Sequence, residues 1–106
     1  MPKFLIQASY TLEGTKGLLK EGGTGRRTAV EQAIKGLGGK LDCFYFAFGE
    51  TDVFLIADLP DPATAAAVSL TVNAAGGAKA TTIPLMMPEE MDAASRKSVQ
   101  YRAPGR

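Results

Sequence analysis

The chain has 106 residues, 45% apolar and 22% charged, with a net charge of +1. That is the length and composition of one globular domain with a core of its own, and the charge balance favours neither nucleic acid nor an anionic membrane as partner. With no histidine, histidine metal sites, Ser-His and Cys-His nucleophiles and histidine-held haem are excluded.

Lys3 to Tyr10 reads as the first strand, with Phe4, Ile6, Ala8 and Tyr10 on one face and the more polar Leu5, Gln7 and Ser9 on the other. Thr11 is placed to cap a short helix over Leu12–Lys20, anchored by Leu18 and Leu19. Gly14 and Gly17 weaken that helix by about 1 kcal/mol each relative to alanine. Glu21 to Gly25 forms a glycine-rich break. A stronger helix follows, with Thr28 and Glu31 spaced as a capping box and Val30, Ala33, Ile34 and Leu37 repeating at helical spacing. Gly38 and Gly39 stop it.

Lys40–Phe48 and Val53–Leu59 are two strands joined by the turn residues Gly49, Glu50, Thr51 and Asp52. Alternation places Phe44, Phe46 and Phe48 opposite Cys43, Tyr45 and Ala47, and Phe54 and Ile56 opposite Val53, Leu55 and Ala57. Neither strand has a polar face, so this sheet is expected to be covered on both sides. Asp61 followed by Pro62 starts a helix with a stripe of small residues (Ala63, Ala66, Ala67, Leu70, Ala74), ended by Gly76 and Gly77. Lys79–Met87 is the last strand, expected at a sheet edge because Pro84 lacks a donor. Pro88 to about Arg96 reads as a final short helix, with Glu89 and Glu90 suited to its first turn.

Strand, helical region, strand, strand, helix, strand, with right-handed crossovers, is the ferredoxin-like plait. The expected class is α+β, a four-stranded antiparallel sheet with helices on one face. Residues 1–95 form the domain and 96–106 a basic tail with four cations and no acid, leaving eight cations against eleven acids before it. Helices on one face leave the other apolar face open. A second subunit packed sheet to sheet covers it, giving a homodimer of the dimeric α/β-barrel type, open to further edge pairing; the alternative is a monomer covered by its own tail.

Several short stretches carry a family likeness: Tyr10-Thr11 with Gly14, Arg27 before the main helix, Gly38-Gly39-Lys40-Leu41, Phe44-Tyr45, the Gly49–Asp52 turn, and Asp61 with its helix. Over about Phe4 to Met87 the chain resembles the GYD domain family. The resemblance implies a dimeric α/β barrel and does not imply a reaction. The family's turn reads Gly-x-Tyr-Asp, and Thr51 stands here in place of the tyrosine. A ligand site lined by that tyrosine would be altered or lost in this chain.

The candidate ligand-binding residues are Tyr10, Arg27, Tyr45 and Asp52. Gly22 to Arg27 precedes a helix and offers free N–H groups and two arginines to an anion; the competing reading is a connector with a solvated cationic flank. It is not a Walker A loop, lacking the lysine and its Ser/Thr. Asp52 is either a carboxylate at a pocket mouth, within reach of Arg27, or an Asx-type turn acceptor. Tyr45 and Tyr10 either line a cavity or sit at an interface. Cys43 excludes an internal disulfide and reads as a core filler, and Met86, Met87 and Met91 as gap-fillers. No metal, cofactor or catalytic residue is assigned. No membrane helix and no signal peptide are expected, and the location is expected to be cytoplasmic. Two functions stand: a ligand-binding or assembly module, or a cofactor-independent monooxygenase or isomerase on fold analogy. An apolar cavity ringed by several of the polar candidates, Glu50 included, would favour the enzyme. A filled core with those groups solvated would favour the module.

Overall fold

The computed structural model describes residues 1–106. Eight elements follow in order: β1 (Lys3–Tyr10), α1 (Leu12–Glu21), α2 (Gly23–Gly36), β2 (Lys40–Phe46), β3 (Val53–Asp58), α3 (Pro62–Ala75), β4 (Ala78–Pro84) and α4 (Pro88–Ser95). The four strands form one antiparallel sheet in the order β2-β3-β1-β4. This is the α+β, ferredoxin-like arrangement expected from the pattern of elements. β4 lies at an edge and ends on Pro84, where a missing donor costs nothing.

The core lies between the sheet and the helices. Phe4 and Ile6 of β1, Val53, Leu55 and Ala57 of β3 and Ala80 of β4 meet Ile34 of α2, Ala65 of α3 and Leu59, all buried. β1 and β3 contribute alternate residues, so one face of the sheet is committed to the helices. α2 packs mainly on β2, and α3 on β4, so the central strands form the floor between them.

Several local expectations are corrected. The break between the first two helices is one residue, not five: Gly22, at φ 82°, donates its N–H to Leu18 and accepts from Arg26. Only glycine adopts that angle freely, and it lets one helix end where the next begins. Thr28 is therefore inside α2, its hydroxyl donating to Thr24, and caps nothing. Leu19 does not anchor α1; it is 83% exposed, and α1 buries no residue. Thr11 caps it as expected, accepting from the Gly14 N–H at 3.2 Å.

The hairpin loop is wider than expected. Ala47 N–H donates to the Asp52 carbonyl at 2.8 Å, which ends β2 at Phe46 and leaves Phe48 in the loop, fully exposed. β2 also carries an irregularity between Leu41 and Cys43, with Asp42 as the extra residue. The bulge puts Leu41 on the helix side together with Phe44, which strict alternation forbids. It also brings Asp42 to Lys3, whose ammonium bridges Asp42 (2.5 Å) and Asp58 (2.9 Å) across three strands. The two hydrogen bonds raise the lysine above its ordinary range.

α3 is rolled relative to its small-residue stripe. Leu70 is 71% exposed and Ala63, Ala66, Ala67 and Ala74 face outward, while Ala65, Val68 and Val72 pack inward. Two polar anchors set the roll: Asn73 accepts the Ala80 N–H at 2.6 Å, and Ser69 hydrogen-bonds Thr82.

α4 and the tail stand away from this body. α4 buries no residue, and the chain measures 55 × 33 × 23 Å with a radius of gyration of 16.8 Å, against about 13 Å for a compact chain of this length. No helix is long and apolar enough to cross a membrane.

Candidate functional site

The gap between α2 and α3 is a cleft of about 440 Å³. Ile6, Ala8, Val53 and Leu55 of the central strands make its floor, Val30 and Ile34 of α2 one wall, and Val68 and Val72 of α3 the other. α1 closes part of the mouth with Gly14, Gly17, Leu18 and Glu21, which are the i, i+3, i+4 and i+7 positions of one helical face. Two of those four are glycines, so the inward face of α1 leaves space where a core helix would insert side chains.

The position of α1 depends on one close approach. A β-carbon on Gly14 would lie 1.8 Å from the carbonyl oxygen of Gly77, so only glycine admits the contact. Thr11 fastens the same corner: its N–H donates to Gly77 at 3.1 Å and its hydroxyl to Gly76 at 2.9 Å.

The polar groups of the cleft gather at the α1–α2 junction. Arg26 and Glu21 are the only charged residues lining it, with Tyr10 beside them. Arg26 Nε lies 3.4 Å from Glu21 Oε1. The pair is close enough to attract but lacks hydrogen-bond geometry, and the Nε–H is buried without an acceptor. Burial raises the Tyr10 phenol above its ordinary value; the Arg26 charge opposes that shift, and Glu21 and Asp52 add to it. Tyr10 therefore stays a neutral hydroxyl at physiological pH.

The four candidate residues do not converge. Tyr10 lines the cleft. Asp52 is a structural acceptor at the start of β3, taking the Tyr10 N–H on Oδ2 at 2.9 Å. Arg27 is exposed and borders a separate shallow depression with Gly23, Thr24, Phe44 and Phe46; it forms no ion pair with Asp52. Tyr45 is 66% exposed on the opposite face of the sheet. Glu50 is exposed in the hairpin loop, its carbonyl accepting from Ser9. In the sequence Arg26 stands as half of an arginine pair, and no motif singles out Glu21. Their proximity follows from the one-residue helix break, which the run of glycines concealed. No cluster of three or more metal-ligating side chains is present.

The glycine corner and the Asp52 strap explain stretches singled out above, Tyr10-Thr11 with Gly14 and the Gly49–Asp52 turn. The GYD domain family model matches residues 4–95. The chain belongs to the GYD domain family. No curated protein and no solved structure gives a match. Thr51, at the family's tyrosine position, is half-buried in the loop that Asp52 N–H ties to the Ala8 carbonyl, and does not line the cleft.

Proposed function

We propose that this GYD domain protein is a small-molecule-binding module that works as a homodimer. The observation that carries the binding function is the cleft, whose volume falls within the range of ligand sites and whose wall is apolar with a few polar groups at one end. Neither expected picture fits: the core is not filled, and of the polar candidates only Tyr10 reaches the cavity. A neutral phenol beside an ion pair is a recognition set rather than an acid–base pair poised near neutrality.

The dimer rests on the sheet's open face. Register places Cys43, Ile56, Leu5 and Ile83 in one row across all four strands, with Tyr45 and Phe54 followed by the polar Gln7 and Thr81 in the next. A contiguous apolar patch of this kind is what interfaces use, and sheets pack face to face about 10 Å apart. The neighbouring row of Lys40, Asp58 and Lys3 carries both signs, so it suits a self-complementary twofold contact. The projecting α4 and basic tail reach beyond their own body and are suited to clasp the other subunit.

Native mass spectrometry on protein taken from cells tests both parts. The expected species is a dimer carrying a small mass that is lost on denaturation, and a Gly17→Phe variant, with a ring in the cleft, lacks that mass. A bare dimer in which Gly17→Phe changes nothing would overturn the binding function, and a monomer would overturn the dimer.

A further inference from the structure

We infer that the cleft takes a single-headed amphiphile, a hydrocarbon chain with one polar end, whose polar end stays in water beside Tyr10 while the chain runs toward Ile6 and Val68. This rests on the cleft being the ligand site.

The elements around the cleft grade from polar to aliphatic in the same direction, and cross-links between them fix the levels. On the floor, Tyr10 pairs with Ala78, Ala8 with Ala80 and Ile6 with Thr82. On α3, Asn73 binds Ala80 and Ser69 binds Thr82, so Val72 lies near the level of Ala8 and Val68 near that of Ile6. α2 starts with Arg26, whose charge acts on Tyr10. It ends at Gly39, packed against the carbonyl of Asp58, the partner of Lys3. Its lining residues therefore pass from Arg26 through Val30 to Ile34 along the same axis.

One end of that axis is wet and the other dry. At the Tyr10 end the Glu21 and Arg26 side chains remain 39% and 38% exposed. At the far end Ile6, Ile34 and Leu55 are buried, and Phe4, Leu59 and Ala65 continue the core beyond them. Away from the Tyr10 end the lining has one side-chain hydroxyl, Thr71, on the exposed rim of α3. The backbone groups of the floor are spent in the sheet ladder. A polar group carried to the dry end would lose its water and find no partner, whereas every methylene placed there gains.

The charge of the polar end is left open. Arg26 Nε is closed to solvent, and the rest of the pair is partly solvated, each charge beside its opposite. Exposed pairs of this kind contribute little to binding a further ion. Selection therefore falls on the chain and on the number of polar ends.

The test is displacement of the uncharged fluorophore N-phenylnaphthylamine from the purified full chain. Decanol is expected to compete at least about tenfold better than decanediol, with a hydroxyl at each end, because the diol carries its second hydroxyl into the dry end. Decanoate and decyltrimethylammonium are expected to compete within about fivefold of each other. Val68→Thr, which puts a hydroxyl at the dry end, is expected to narrow the gap between decanol and the diol to about threefold or less. Circular dichroism and melting curves confirm that the variant is folded. A diol that competes as well as decanol, a wider difference between the two ions, or a gap unmoved by Val68→Thr would overturn the assignment while the fluorophore still bound. A protein that takes up no fluorophore would overturn the ligand site itself.

Discussion

The backbone N–H of Tyr10 donates to Oδ2 of Asp52 at 2.9 Å, and the Asp52 N–H donates to the Ala8 carbonyl at 2.9 Å. One residue thus satisfies β1 twice at the point where that strand leaves the sheet, and it holds the backbone of Tyr10 beside the cleft. Asp52→Ala is expected to lower unfolding free energy by about 1.5–2 kcal/mol, the lower part of the range for a hydrogen bond to a charged group because the site is only half-buried. Asp52→Asn, which keeps an acceptor oxygen, loses less. Urea unfolding of the two variants side by side measures the difference.

Gly14 and Gly17 sit one turn apart on α1 and predict opposite outcomes. Gly14→Ala places a β-carbon against the Gly77 backbone and is expected to destabilise by about 1–3 kcal/mol, since backbone has to move. Gly17→Ala meets no atom within 4 Å and is expected to stabilise by up to about 1 kcal/mol through helix propensity. Thermal melts of both variants check the pair, and equal effects would mean that the α1–β4 corner is not tight.

Phe54 and Leu55 are neighbours on opposite faces of β3. Phe54→Arg is expected to give a folded monomer by light scattering, because only the open face is changed. Leu55→Arg buries an unpaired charge in the core and is expected to unfold the chain. A Phe54→Arg protein that remains a dimer would place the interface elsewhere.

Asp61 accepts from the Thr64 N–H at 2.7 Å and from its hydroxyl at 2.8 Å, with the backbone hydrogen bond the larger cause of a pKa lowered from its ordinary 3.8. A depressed carboxyl pKa gives stability that is complete above the unfolded value and is lost as pH falls through the folded one. The gap in melting temperature between the parent and Asp61→Ala is therefore expected to be constant near neutrality. It should shrink only below about pH 4, where the unfolded chain begins to take up the proton. Asp61→Ser, which retains a capping oxygen, is expected to keep most of the stability.

The sheet was legible in the sequence because its signals are local and redundant: alternating apolar residues, Asp61-Pro62 at a helix start, Pro84 at an edge. The roll of α3 was not. Nearly all its residues are apolar or small, so periodicity carries no preferred direction, and the choice falls to Asn73 and Ser69, whose partners on β4 are close only after folding. Asn73→Ala is accordingly expected to cost about 1–3 kcal/mol in urea unfolding, because it strands the Ala80 N–H. The bulge at Asp42 was hidden for a similar reason, since its carboxylate finds Lys3 from the far end of the sequence. The cleft was not legible in the sequence either: an apolar cavity and a filled core both stood as readings of the same residues, and only the spread of α2 from α3 separates them.

β1 is synthesised before both of its neighbours, yet it lies inside the sheet, pairing Lys3 with Asp58 on one side and Tyr10 with Ala78 on the other. Until β3 has been made its two rows of N–H and carbonyl groups have no place in a ladder, and Phe4 and Ile6 have no core to enter. Such long-range closure is slow compared with helix formation, and an apolar strand left waiting is exposed to wrong partners. β1 is flanked on both sides only when β4 has been made. A truncation before Ala78 would therefore take away β1's second neighbour and leave β1 itself at an open sheet edge.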